Sequence, residues 1–275
     1  MNGPTVAVVF GGGGAKGAAH LGAARALREY GANVVRYVGT SMGAVMAAAC
    51  ASGRDPATML DAFAAVRERD VLVRRRFALL KGIWAPALLE MPPFRAAIER
   101  LLPERRFADL AIPCTVTAVD RATGEAVVFG TDGEDAPLID ALTASCALPP
   151  YFPPVRVAGR ECVDGGVRGP VPLYCAERIA CDFVVVVDVG PGFDERGTPV
   201  RLPPPLLAAT DTAIGWLMAG TTELLRAKWD ATPGLPPLLW VRPTSDRGAT
   251  FAMERIPEYE RAGHHAMREA LQRLG

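Results

Sequence analysis

Residues 5–10 (Thr-Val-Ala-Val-Val-Phe) form an unbroken run of β-branched and apolar side chains that ends in glycines. That pattern predicts a strand buried on both faces. The period then changes. Ala19, Leu21, Ala23, Ala24 and Leu27 line one side of a helix predicted over 16–30, with Gly31 just past its end. A second strand over 34–38 and a small-residue helix over 42–51, stopping near Gly53, follow. Strand, helix, strand, helix at the start of the chain implies a parallel sheet with right-handed crossovers.

Further along, 56–69 reads as a helix and Arg74-Arg75-Arg76 as a local basic run. Residues 77–102 mix Leu79, Leu80, Ile83, Trp84, Leu88, Leu89, Met91 and Phe94 with Pro86, Pro92 and Pro93. This stretch reads as irregular: an insertion packed on the core, or a lid or lipid-facing surface. Residues 114–120 and 125–129 flank Arg121-Ala122-Thr123-Gly124 as a β-hairpin. A short helix over 138–147 precedes a proline-rich turn around Tyr151 and Phe152, and a strand over 160–163 delivers Asp164. The apolar run 183–189 is expected to be a central strand. A long helix over 206–229, a late strand over 238–241 and a closing helix over 257–274 complete the pattern. No repeat or low-complexity linker divides the chain. The expected fold is one three-layer α/β/α domain over 1–275 with a mostly parallel central sheet. Its motif-bearing core covers about 5–190, and its helical part about 200–275.

Composition narrows the function. The chain has 275 residues, 50% of them hydrophobic, enough to bury a core of this kind. Lys+Arg and Asp+Glu both number 30, so the basic excess of a nucleic-acid binder is missing. Neutrality leaves room for transient membrane-surface contact, because interfacial enzymes dock through local apolar patches. The opening Met1-Asn2-Gly3-Pro4 has no basic run before the first strand, and no apolar run approaches the roughly 20 residues that span a bilayer. A cytoplasmic location is therefore expected, peripheral at the inner membrane face. The six cysteines show no Cys-x-x-Cys spacing and read as small buried residues. No Asp/Asn-rich calcium loop is apparent, so neither a metal nor another cofactor is expected.

Gly39-Thr40-Ser41-Met42-Gly43 lies between a predicted strand and a predicted helix, the context of a nucleophile elbow. In that pattern Gly39 and Gly43 permit a turn so tight that a side chain would collide, and Ser41 is presented at a helix N-terminus. Gly11-Gly12-Gly13-Gly14-Ala15-Lys16-Gly17 opens the first helix, where bare backbone amides make an anion site. Gly12-x-Gly14-x-x-Gly17 also matches a dinucleotide fingerprint. However, no Asp or Glu occurs from Tyr30 to Ala51 to hold a ribose. The P-loop spacing fails as well. The amides therefore read as donors to the oxyanion of an acyl intermediate, each worth about 3–4 kcal/mol in such sites. Lys16 either orients this loop or is a solvated first-turn lysine.

A serine nucleophile needs a base. Histidine is scarce: His20, expected to pack or bond structurally, and His264 and His265 on the closing helix. A triad of Ser41, Asp188 and His264 or His265 stays open. Asp164-Gly165-Gly166 offers another carboxylate, on a tight turn after a strand. By itself the segment reads as an aspartate organising its own loop.

The three segments together resemble the patatin-like phospholipase family: Gly-Gly-Gly-x-Lys-Gly, Gly-x-Ser-x-Gly and Asp-Gly-Gly. The stretch from Ala144-Ser145-Cys146 through Pro153-Pro154, followed by Asp164 to Pro172, is similar to its short bacterial members, and the likeness spans Val6 to about Pro172. This resemblance implies a Ser41–Asp164 dyad, an oxyanion hole from the Gly12, Gly13 and Gly14 amides, and acyl-ester hydrolysis on lipids. Gly17, Lys16, Gly39, Gly43, Gly165 and Gly166 would support the motifs. A free aspartate, with pKa about 3.9, is a weak base, so such a site must raise its basicity by desolvation. A regulatory or lipid-binding protein on the same fold is the alternative from a different class.

Overall fold

The computed structural model describes residues 3–75, 84–85, 87–195, 205–246 and 252–274. The described elements, in chain order, are β1 (Thr5–Phe10), α1 (Ala18–Tyr30), β2 (Asn33–Thr40), α2 (Met42–Ala51), α3 (Pro56–Ala64), α4 (Glu68–Val71) and α5 (Met91–Leu101). Next come β3 (Cys114–Asp120), β4 (Ala126–Gly130), α6 (Leu138–Ser145), β5 (Val155–Val157) and β6 (Arg160–Asp164). The chain continues with β7 (Phe183–Val187), α7 (Pro205–Ala231), β8 (Leu238–Val241) and α8 (Ile256–Gln272).

One eight-stranded sheet holds the structure together. Strand β1 lies between β2 and β7, parallel to both, and β8 and β3 extend the parallel run on either side. Helices cover both faces, which is why the central strands read as continuous apolar runs. Val6, Val8 and Phe10 join the larger core with α1, α2, α5, α6 and α8. Ala7 and Val9 face the other layer, where Leu173, Ile179 and Trp229 of α7 pack. The result is the expected three-layer, mostly parallel α/β/α arrangement. The antiparallel strands cluster at one end. One edge of β3 pairs along its length with β4. Its other edge is shared: β2 takes Cys114 to Thr117, and antiparallel β6 takes Ala118 to Asp120.

Several boundaries differ from the sequence reading. The first helix opens as a 3-10 turn (Gly14–Gly17) before α1, and Gly31 ends it with a left-handed φ of 80°. The single helix expected over 56–69 is two, α3 and α4, the first capped by the Asp55 carboxylate on the N–H of Ala57. Within 77–102 the structure contains a regular helix, α5, contrary to the irregular reading. Pro92 and Pro93 lie in its first turn, where no intrahelical N–H bond is needed. Residues 77–83 and 86, part of that proposed lid, lie outside the described residues, as does Arg76 of the basic run. Strand β7 stops at Val187, two residues before the apolar run ends.

Candidate active site

The turn from β2 to α2 is tight and strained. Ser41 has φ 55° and ψ −133°, a backbone region that L-residues rarely occupy. A Cβ at Gly39 would overlap the backbone of Gly43 and Ala44, and one at Gly43 would overlap the carbonyls of Phe10 and Gly11. The turn therefore exists only because both flanking residues lack side chains. The Ser41 N–H donates to Ser145 Oγ at 2.8 Å, and that hydroxyl donates to the Thr117 carbonyl at 2.7 Å. One buried hydroxyl at the end of α6 thus ties the strained residue to β3. Thr40 and Thr117 share a second hydroxyl bond of 2.5 Å just beneath.

Ser41 Oγ donates to Asp164 Oδ2 at 2.7 Å, and the Gly166 N–H donates to Oδ1 at 2.7 Å. Asp164 is only 2% exposed. Burial pushes its pKa up to about 7, partly countered by the bonds from Ser41 and Gly166. Gly165 sits against the Thr117 carbonyl with no room for a Cβ, which holds the turn onto β3.

The glycine loop faces the same point. The N–H of Gly11 donates to Val187 O at 3.0 Å and that of Gly12 to Pro170 O at 2.9 Å. These bonds pin the loop between β7 and the segment after Asp164. Among the described residues the N–H groups of Gly13 and Gly14 have no partner, and both residues line the cavity that contains Ser41. Gly17 packs against Met42. Buried His20 donates from Nε2 to the Gly11 carbonyl at 2.8 Å and stacks on Phe10, and burial lowers its pKa to about 4, so the ring is neutral.

Lys16 is buried, not the solvated lysine that the sequence left open. Its ammonium approaches Glu195 at 3.4 Å and donates to the Asp246 carbonyl at 3.2 Å. Burial lowers its pKa, and the charge of Glu195 works against that. It therefore joins the glycine loop to the loops that follow β7 and β8.

The histidines of the closing helix lie elsewhere. His264 bonds Glu29 of α1 at 2.8 Å, and His265 faces Glu269 of its own helix at 3.3 Å. Asp188 is held by Arg242 at 2.9 Å and by the Gly190 N–H. Neither histidine nor Asp188 lines the cavity, so the alternative triad is not assembled.

The cavity has a volume of about 140 Å³ and opens to solvent. Ser41, Asp164, Gly13 and Gly14 occupy one part of its wall. Phe63, Val66, Leu72, Phe94, Ile98, Leu101, Leu148 and Phe152 make an apolar channel, and Met218 of α7 closes the side by Gly166. Such a wall suits a hydrocarbon chain whose polar end reaches the serine. Buried Cys146 also lines it, with its thiol pKa pushed well up by burial and by Asp164. Among the described residues, no group of three His, Cys, Asp or Glu could hold a metal ion, and no helix is long and apolar enough to cross a membrane.

Sequence reasoning missed Ser145, Pro170 and the wall supplied by α5. Ser145 and Pro170 stood inside quoted motif stretches, but only as neighbours of Cys146 and Asp164.

A family model described as patatin-like phospholipase matches residues 8–176. A Mycobacterium tuberculosis protein named as an uncharacterized NTE family protein is 34% identical over 190 residues, 68% of this chain and 49% of that protein. Patatin-like phospholipase domain-containing protein 7 of Rattus norvegicus is 31% identical over 193 residues, 69% of this chain and 14% of that protein. The chain thus spans half or less of the length of these curated relatives. Among solved structures, VipD from Legionella pneumophila aligns with TM-score 0.48 at 14% identity, covering 99% of this chain and 67% of that one.

Proposed function

The chain belongs to the patatin-like phospholipase family, and on that premise we propose that it hydrolyses acyl esters of lipids with Ser41 as nucleophile and Asp164 as its base. The observation that carries this reading is the 2.7 Å bond from Ser41 Oγ to a buried carboxylate, beside two amides without partners among the described residues, in the wall of an apolar channel.

In this mechanism Asp164 takes the hydroxyl proton as Oγ attacks the ester carbonyl carbon. Desolvation makes the carboxylate basic enough for that step. The N–H groups of Gly13 and Gly14 receive the oxyanion, aided by the positive end of α2. Gly12, whose N–H is spent on Pro170, fixes the loop instead of donating. The tetrahedral intermediate collapses, Asp164 returns its proton to the leaving oxygen, and the acyl group stays on Ser41. A water molecule, deprotonated by Asp164, then attacks the acyl-enzyme. A second collapse releases the acid and restores the serine. The sheet and both helical layers work as a single domain in this reading.

Hydrolysis of a short-chain acyl ester and of a lysophospholipid by Ser41→Ala and Asp164→Ala proteins tests it. Both activities are expected to vanish, and a fluorophosphonate is expected to label the wild type at Ser41 alone. Undiminished turnover in either variant would end the proposal. A wild type that neither turns over ester nor takes the label would instead favour a binding protein on this fold.

A further inference from the structure

Helix α5 gives the cavity one continuous stripe. Phe94, Ala97, Ile98 and Leu101 all line it, and spacings of three and four residues put them on one helix face. The stripe covers two turns, about 10 Å of helix axis. Every side chain in it is hydrocarbon, and each is at least nine-tenths buried.

The two ends of the stripe differ. Phe94 marks the end near the dyad. Its ring packs on Phe152 with centroids 5.1 Å apart, the Phe152 N–H donates to Leu148 O at 2.9 Å, and the Asp164 N–H donates to the adjacent Ala147 carbonyl at 3.1 Å. Leu101 marks the other end. Its carbonyl accepts from Arg54 Nη1 at 3.1 Å, and Arg54 lies just past the C-terminus of α2. Ser41 precedes the first residue of that helix, which is about 15 Å long. Arg54 also pairs with Glu104 at 2.7 Å and touches Met59. Met59 and Leu102 are buried, and none of Arg54, Met59, Leu102 and Glu104 lines the cavity. The channel therefore stops at Leu101.

We propose that the channel is blind and measures the acyl chain: its substrates are esters of straight-chain acids of about six to eight carbons, and Leu101 sets the limit. The inference rests on reading the cavity as an acyl-ester site, and it names the acyl class. The volume of about 140 Å³ is close to the roughly 150 Å³ in which a cavity lined by Leu, Ile and Phe holds benzene. The stripe on α5 has the length of such a chain extended. A longer acyl group must leave its tail in water, where further methylenes gain nothing from burial.

The test reads chain length twice. One series measures kcat/KM of the wild type on 4-nitrophenyl esters from butanoyl to hexadecanoyl. The other measures calorimetric binding of the matching fatty acids to the Ser41→Ala protein. Both should rise up to about fourfold per methylene, peak at about six to eight carbons, and gain nothing beyond. Leu101→Ala should move the peak about three carbons longer, the number of side-chain carbons it removes. Ala97→Leu, which adds bulk midway along the stripe, should move it shorter. Fluorophosphonate labelling reports that each variant is folded. Values that climb steadily to hexadecanoyl, or folded variants that both keep the wild-type peak, overturn the proposal while the hydrolase reading stands. Binding is read without turnover, so a wild type that hydrolyses none of the esters, while Ser41→Ala still binds octanoate better than butanoate or hexadecanoate, would remove the hydrolase reading and leave the length limit standing. Neither turnover nor binding at any length overturns both.

Discussion

Thr40 and Asp164 end two strands that run toward each other along one edge of β3, stopping opposite the adjacent residues Thr117 and Ala118. Strand β2 arrives parallel and β6 antiparallel, so their last residues meet head to head. The residue after Thr40 is Ser41, and its hydroxyl reaches the Asp164 carboxylate because both chains have run out of the same sheet edge at the same place. The juxtaposition is thus a property of strand register and needs no mobile loop to make it.

A carboxylate with a pKa near 7 acts as a base only when deprotonated. The kcat/KM for a soluble ester should therefore fall about tenfold per unit below pH 7 and level off above it. An Asp164→Asn protein should lose between about 10²- and 10⁴-fold in kcat. A pH–rate profile flat from pH 5 to 8 (about 2 kcal/mol or more of expected change absent) would contradict the assignment.

The same carboxylate works against stability at neutral pH. Its native pKa lies above the unfolded value of about 3.9, so the native state binds more protons between those limits. Its stabilising share is fully present below about pH 4 and is lost as pH rises through about 7. Asp164→Asn removes the buried charge and should raise the unfolding free energy above pH 7 by on the order of 3 kcal/mol, with the gain fading toward pH 4. Denaturant melts at the two pH values give the comparison, and equal gains at both would refute it.

Ser145→Ala would leave the Ser41 N–H without its acceptor at the strained turn. A loss of about 1–3 kcal/mol in stability is expected, together with a fall in kcat at nearly constant KM. Ser145→Thr, which keeps the hydroxyl, should recover most of the rate. Failure of that recovery with an intact fold would assign Ser145 to packing alone.

Gly43→Ala places a methyl against two carbonyl oxygens of β1 and the loop after it. Overpacking of this kind costs about 1–3 kcal/mol, and here it also displaces Ser41. Thermal melts should show the loss, and fluorophosphonate labelling should slow more than stability alone explains. An unchanged labelling rate would show that the turn has slack.

Replacing His264 and His265 together by alanine should leave ester hydrolysis at the wild-type level, since both rings face glutamates away from the cavity. Abolished activity in a folded double variant would move the base from Asp164 to the closing helix.

What the chain states locally, it states in readable form. Glycines spaced around Ser41, a glycine run before α1 and Asp164 before a double glycine are short-range requirements of tight turns, so they appear as adjacent letters. Alternating or continuous apolar runs likewise announced β1, β2 and β7, because strand periodicity is local. Prolines misled over α5, since a proline in a first helical turn and one in a loop look alike until the helix is seen. Other features depend on partners far apart in the chain. They include the edge of β3 that β6 takes, the burial of Lys16 under Glu195 and Asp246, and the Pro170 carbonyl that occupies the Gly12 N–H. Pairing and burial are set by which surfaces meet, and no local period encodes that choice, so only the tertiary structure decided them.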